Sequence, residues 1–316
     1  MKLALPAKSL PAESTEYIEQ GFYARLLNRL SRQLGAYLFL LPAIIIFALV
    51  AWYPIARAFE MSFQYVNLIG KSEWVGFENY ELMKLDPARK IIWKNTLQYL
   101  MWSLTLGYAV PIICAILIRE MRHGGSFFRI VYFLPTVVPI SIAVIVWRFI
   151  YNPESGFLNE LIEVFGIDPQ LWLTDVKLAK PSLVLIMTWG GFGTTTLIYL
   201  AAILDIPSEL YEAAELDGAS PFNRIRHITL PHIFPVMSLM FVLQIIFVVQ
   251  VFTEPYLLTK GNPARTTLTP VLHIYNKAFG GRADLGYAAA WSVTLLIFLA
   301  AFSAIHLYID RRINRT

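Results

Sequence analysis

The sequence predicts an all-α membrane protein: six transmembrane helices, with one helix-turn-helix projecting from a membrane face. Three observations carry that expectation. Of the 316 residues 57% are hydrophobic, and the mean hydropathy is +0.55. Charged residues make up 15%, where a soluble domain carries about a quarter. Six apolar segments, at 36–58, 95–118, 127–150, 181–204, 233–256 and 286–309, each reach the roughly 20 helical residues that cross ~30 Å of hydrocarbon. Backbone groups left unpaired in lipid are costly, so segments of this kind are helical.

Residues 1–35 form an N-terminal segment without the apolar core of a signal peptide, since Glu13, Glu16 and Glu19 lie among its basic residues; the segment is expected to stay on the mature chain. Within it Phe22, Tyr23, Leu26, Leu27, Leu30 and Leu34 recur at steps of three and four, with Arg25, Asn28, Arg29 and Arg32 on the other side. That pattern fits a helix lying in the membrane interface; a soluble amphipathic lead-in fits it as well. A six-helix transmembrane domain is expected over 36–309 and a short tail over 310–316. Pro42, Pro54, Pro111, Pro135 and Pro139 imply bends in the spans. Cys114, the one cysteine, lies in an apolar run, so the chain forms no internal disulfide and has no Cys/His metal spacing.

Six spans put both termini on one side. Total Lys plus Arg separates the two sides poorly, but arginine is sharper: the N-terminal segment, the 119–129 and 205–232 loops and the tail hold eleven, against Arg89, Arg265 and Arg282 in the opposite loops. Basic residues near helix ends favour the cytoplasm, so both termini and the 205–232 loop are expected there. Net charge of +4 follows from such loop placement and gives no ground for nucleic-acid binding.

The polar stretch 205–232 sits between two spans. Pro207-Ser208 starts a helix, Gly218 interrupts it, and Ser220-Pro221 supplies an N-cap followed by proline at the first helical position. The small Ala213-Ala214 pair permits close approach of another surface, with Arg224, Arg226 and acidic residues around it. A docking element explains two capped helices in so short a loop; a solvated connection is the alternative.

Other chemistry is absent from the sequence. Gly70-Lys71-Ser72 resembles the end of a phosphate-binding loop, but Tyr65 stands where the first glycine belongs. Five scattered histidines, His227 and His232 among them, give no metal spacing. Asn314-Arg315-Thr316 is a glycosylation sequon in the expected cytoplasmic tail, where it would be unused.

Glu212-Ala213-Ala214, three residues, Gly218, nine residues, then Ile228-Thr229-Leu230-Pro231 resembles the cytoplasmic motif of membrane subunits of binding-protein-dependent ABC importers at every position. Trp74-Val75-Gly76-Phe77-Glu78-Asn79-Tyr80, Tyr132-Phe133-Leu134-Pro135, Gly156-Phe157-Leu158-Asn159 and Gly286-Tyr287-Ala288-Ala289-Ala290 are similar to the branch serving carbohydrates and glycerol phosphates. At Gly261-Asn262-Pro263 that branch usually has two glycines before the proline. The resemblance implies the type I importer permease fold, in a bacterial or archaeal cytoplasmic membrane. It also implies a coupling helix seated on an ATPase, through Glu212, Ala213, Ala214, Asp217, Gly218, Arg224, Ile228, Leu230 and Pro231. Implied partners are a second homologous permease subunit, two ATP-binding subunits, an external solute-binding protein and membrane lipid. ATP and Mg would sit on the partner ATPases and no cofactor on this chain, which would be no enzyme itself.

A sugar path needs polar and aromatic groups facing the bundle interior. In the fourth span Thr188 to Thr196 combines glycines, threonines and aromatics, a composition that helix packing explains equally well. In the fifth, Gln244 and Gln250 each need a partner, because an amide facing lipid is costly. Together with the resemblance this favours Gly191, Thr194, Gln244 and Gln250 as path residues. Arg148 and Glu254 are expected to snorkel at outer helix ends, with gating as the alternative. The rival reading, an ion-gradient-driven secondary transporter or channel, predicts paired acidic and basic residues near span centres, and the sequence has none there.

Overall fold

The computed structural model describes residues 35–67, 70–121, 125–281 and 283–313. The amphipathic helix expected within 17–34 and the end of the tail lie outside them. The chain divides into two compact units, 1–58 and 59–316. The first contributes most of α1, Gly35–Met61, an apolar helix of which no side chain is buried.

The second unit begins with an antiparallel hairpin, β1 (Gln64–Tyr65) and β2 (Glu73–Trp74), and the short α2 (Glu78–Leu85). It continues through α3 (Ala88–Glu120), α4 (Gly125–Val137), α5 (Ile140–Ile150), α6 (Phe157–Glu163) and α7 (Ala179–Leu204). Then come α8 (Ser208–Leu216), α9 (Pro221–Val249), α10 (Pro270–Phe279) and α11 (Leu285–Ile313). Among the described residues, α1, α3, α7, α9 and α11 are long and apolar enough to cross a membrane, and α4 with α5 makes a sixth if the bent pair is one span.

The spans differ from their expected form in two places. The segment expected as one helix at 127–150 is two helices meeting at 108°. Pro135 inside α4 and Pro139 at the start of α5 both lack an N–H, so the ladder fails where the chain turns. The segment expected to run to 256 leaves the helix at Gln250, and Pro255–Thr259 then forms one wide turn of its own.

Pro54, Pro111 and Pro231 act through the turn width rather than through a break. Wide i→i+5 turns occupy Ala48–Trp52 in α1, Leu104–Tyr108 in α3 and Ile225–Thr229 in α9. Each contains the residue four positions before a proline: Val50 before Pro54, Gly107 before Pro111, His227 before Pro231. That residue's carbonyl is the one a proline ring strikes, and widening the turn moves it aside while the helix continues.

α7 is the axis of the packing. At the end near α8 one apolar cluster joins Ile112, Ala115 and Ile118 of α3, Tyr132 of α4, Tyr199, Leu200 and Ile203 of α7, Tyr211 of α8 and Ile233 of α9. The α4–α7 crossing is close because Gly193 has no side chain: a Cβ there would lie 2.4 Å from the Tyr132 carbonyl oxygen. Ser238 of α9 accepts from or donates to His306 at 3.0 Å and donates to Asp310 at 3.3 Å, tying α9 to α11.

The opposite end is held by buried polar groups. Asn95 Nδ2 donates to the carbonyls of Arg265 and Leu268 at 2.8 and 3.0 Å, pinning the 260–268 loop to α3. Tyr287 donates to Asp86 at 2.7 Å. Burial raises the Asp86 carboxyl, but the hydrogen bonds from Tyr287 and the Ala88 amide, with the nearby His273 and Lys277, outweigh it and leave it below its ordinary value. Burial holds His273 down at about 4, with Lys277 and Arg265 adding to the effect against Asp86, so its 3.6 Å contact with Asp86 is uncharged on the histidine side near neutrality.

Candidate functional site: a coupling turn and a cavity

The turn between α8 and α9 forms for local reasons. Gly218 has φ +77°, the left-handed region that a Cβ resists. Ala219 N–H donates to the Ala214 carbonyl at 2.8 Å and Gly218 N–H to Glu215 at 3.0 Å, the pair of bonds that closes a helix through a left-handed residue. Ser220 Oγ accepts from the Asn223 amide and Pro221 fills the first helical position, so the next helix is capped as expected. That helix is not a separate short one: it runs without a break into the span, as α9.

The outer surface of this turn is open. Glu212, Ala213, Asp217, Gly218 and Pro231 are exposed, and Ala214, Arg224, Ile228 and Leu230 are half-buried. Arg224 reaches across the turn to Glu215 at 3.2 Å, an exposed pair that adds little stability. Leu216 and Phe222 stand 89% and 68% exposed on either side of Gly218, two apolar side chains that sequence reasoning passed over. Their signal was apolar residues breaking a polar loop.

The inner surface is clamped. Tyr211 is the buried residue of α8, and its hydroxyl hydrogen-bonds Thr229 of α9 at 2.9 Å. The Arg119 guanidinium from the end of α3 lies 3.6 Å from the Tyr211 ring centroid. One tyrosine therefore joins three helices.

At the other half of α7 the packing opens into a cavity of about 720 Å³. Its walls come from α3 (Ser103, Gly107), the α4–α5 break (Val138, Ile140), α7 (Thr188, Gly190, Gly191, Thr195) and α9 with its outgoing loop (Gln244, Gln250, Thr253, Glu254). Gln244 Nε2 donates to Ser103 Oγ. Gly107 makes that meeting possible, since a Cβ on it would lie 2.8 Å from Gln244 Nε2 and 3.3 Å from Thr188 Oγ1. Gly190 and Gly191 have nothing within 4 Å of a built Cβ and face open space, unlike Gly193.

Of the expected path residues, Gly191, Gln244 and Gln250 meet on this wall. Thr194 does not: it is exposed on another face of α7, and Thr195 and Thr188 take its place. A helix turns 100° per residue, and position within a threonine run cannot be assigned without knowing the packed face. Ser103 and Gly107 of α3 escape sequence reasoning because they reach this wall only through packing against Gln244 and Thr188. Glu254 does not snorkel: it is 6% exposed on the cavity wall, because α9 ends before it and the chain folds inward. Arg148 donates to the Leu257 carbonyl and anchors the 255–259 turn. Among the described residues no group of histidine, cysteine and carboxylates could hold a metal ion.

Residues 107–315 match the family described as the binding-protein-dependent transport system inner membrane component. The chain is 33% identical over 272 residues to the probable ABC transporter permease YurN of Bacillus subtilis, covering 84% of this chain and 92% of the relative. It is 32% identical over 280 residues to the arabinooligosaccharides transport system permease AraP of the same organism, covering 88% of each. Among solved structures it resembles a chain of a bacterial ABC transporter importing the acidic polysaccharide alginate, with 26% identity, a TM-score of 0.80 and coverage of 92% of this chain and 99% of that one. A further structure, the bacterial alginate ABC transporter in complex with its alginate pentasaccharide-bound periplasmic protein, contains a similar chain at a TM-score of 0.81. By its sequence, its fold and the turn at Gly218, this chain belongs to the family of inner membrane permease components of binding-protein-dependent transport systems.

Proposed function

We propose that this permease works as one of two membrane subunits, beside a homologous partner, two ATP-binding subunits and an external solute-binding protein. The solute would be a saccharide. The similarity to permeases named for arabinooligosaccharides and for sulfoquinovosyl glycerol supports this, as does the alginate importer's fold. The chain is read as 36–309 spanning the bacterial cytoplasmic membrane, with both termini and the 205–232 loop in the cytoplasm, an interfacial helix within 1–35 and a tail over 310–316.

The observation that carries the mechanism is connectivity. α8 hangs between α7 and α9, and those two helices form facing walls of the cavity. Closure of ATP- and Mg-loaded partner subunits would displace α8. Through Tyr211, Thr229 and Arg119 the displacement passes to α3 and α9, so the cavity opens to the other membrane face. The energy comes from the partners and the path from this chain.

Reconstitution in proteoliposomes tests the reading. Gly218→Asp puts a charged side chain on the docked surface, where nothing of this chain stands within 4 Å, and strains the turn as well, because φ +77° disfavours a Cβ. The variant should insert normally and lose ATP-driven uptake by at least about tenfold, the scale of a ~1–2 kcal/mol docking defect. Undiminished uptake contradicts the coupling role.

A further inference from the structure

The cavity wall carries one ionisable side chain, and it is an acid. Ser103, Thr188, Thr195, Gln244, Gln250 and Thr253 supply neutral donors and acceptors, while Glu254 is the sole titratable residue among those lining the space. No lysine, arginine or histidine lines it, and among the described residues Glu254 forms no ion pair. At 6% exposure a charge on it is poorly screened by water.

An anionic solute entering such a space finds no cation from this chain. If Glu254 is ionised it repels the anion; if protonated it offers a single O–H, which binds a hydroxyl as well as a carboxylate. A neutral saccharide meets amides and hydroxyls that can pair with its own hydroxyls, set among apolar and aromatic side chains such as Ile186, Phe192 and Phe252 that its ring faces can pack on. A like charge about 6 Å away, at the effective dielectric of partly buried sites, disfavours an anion by roughly 100-fold. Rejection of this kind is how a site separates cargoes of similar shape.

We propose, on the reading that this cavity carries the solute, that the cargo is an uncharged saccharide and that Glu254 excludes anionic ones. The transporter would then differ in charge class from the alginate importer whose fold it shares.

The test has two stages. Calorimetry on the cognate binding protein with arabinotriose, xylotriose, maltotriose and trigalacturonate comes first. Binding of a neutral trisaccharide is expected. Exclusive binding of trigalacturonate overturns the proposal while leaving the saccharide reading intact, and binding of none removes the saccharide reading itself.

The second stage takes the best neutral trisaccharide and the aldonic acid made by oxidising its reducing end. Uptake by the whole reconstituted complex is compared at equal occupancy of the binding protein. Wild type should carry the acid at least about tenfold more slowly. Glu254→Gln should narrow the gap severalfold, and Glu254→Lys should close or reverse it. Equal rates in wild type overturn the proposal, and an unchanged gap in Glu254→Gln removes Glu254 as its cause. If the lysine variant does not assemble, the glutamine variant, close to isosteric, decides between these outcomes.

Discussion

The two halves of α7 teach different lessons. From Tyr199 to Ile203 the helix is buried among α3, α8 and α9, with Tyr199, Leu200 and Ile203 at 2% exposure or less. From Thr188 to Thr195 the same helix lines an open cavity through Gly190, Gly191 and Thr195. What differs is whether a partner helix fills the space beside it. In the proposed mechanism this one helix is stiff where force enters and open where solute moves.

The sharpest way to break the contrast is to soften the packed half. Tyr211→Ala empties the site beneath α8 and unlinks Arg119 from Thr229, at a cost of about 3 kcal/mol. The purified complex should melt several degrees lower, and ATP hydrolysis should continue with uptake largely lost. Tyr211→Phe keeps the ring under Arg119 and should retain most uptake.

Two glycines two residues apart test the boundary next. Gly193→Ala drives a Cβ into the Tyr132 carbonyl and should destabilise the protein by about 1–3 kcal/mol. Gly191→Ala meets nothing and should leave thermal stability unchanged while raising the KM for solute. Equal melting of both variants would erase the distinction between a packing glycine and a cavity glycine.

The smallest effect belongs to the open half. Gln244→Leu removes the donor to Ser103 without touching α8. Uptake should weaken severalfold, consistent with about 1 kcal/mol for one hydrogen bond, and the ATP-binding subunits should co-purify undiminished. Unchanged uptake kinetics would withdraw Gln244 from the path.

How much of this is legible in the sequence follows the physics of each feature. The spans are, because a run of about 20 apolar residues needs no partner to be recognised. The turn at Gly218 is, because Ser220, Pro221 and Gly218 act on bonds within a few residues. Pro135 and Pro139 announce a bend, but the 108° angle depends on what α4 and α5 pack against. The sequence points to Thr194 rather than Thr195 because the face of α7 is set by other helices. Length alone puts Glu254 at a helix end, and the early end of α9 at Val249 turns it inward. The Arg119, Tyr211 and Thr229 clamp joins residues far apart in the chain, and no periodicity marks it.

Thiol labelling in sealed vesicles tests the two halves most directly. Cys114 is first replaced by serine, then Thr195, Gln250, Leu200 or Ile203 is changed singly to cysteine in the assembled transporter. A small water-soluble thiol reagent should modify positions 195 and 250 at least about tenfold faster than 200 and 203, and solute delivered by the binding protein should slow the first pair alone. Equal rates at all four positions, or protection by solute at 200 and 203, would contradict the account.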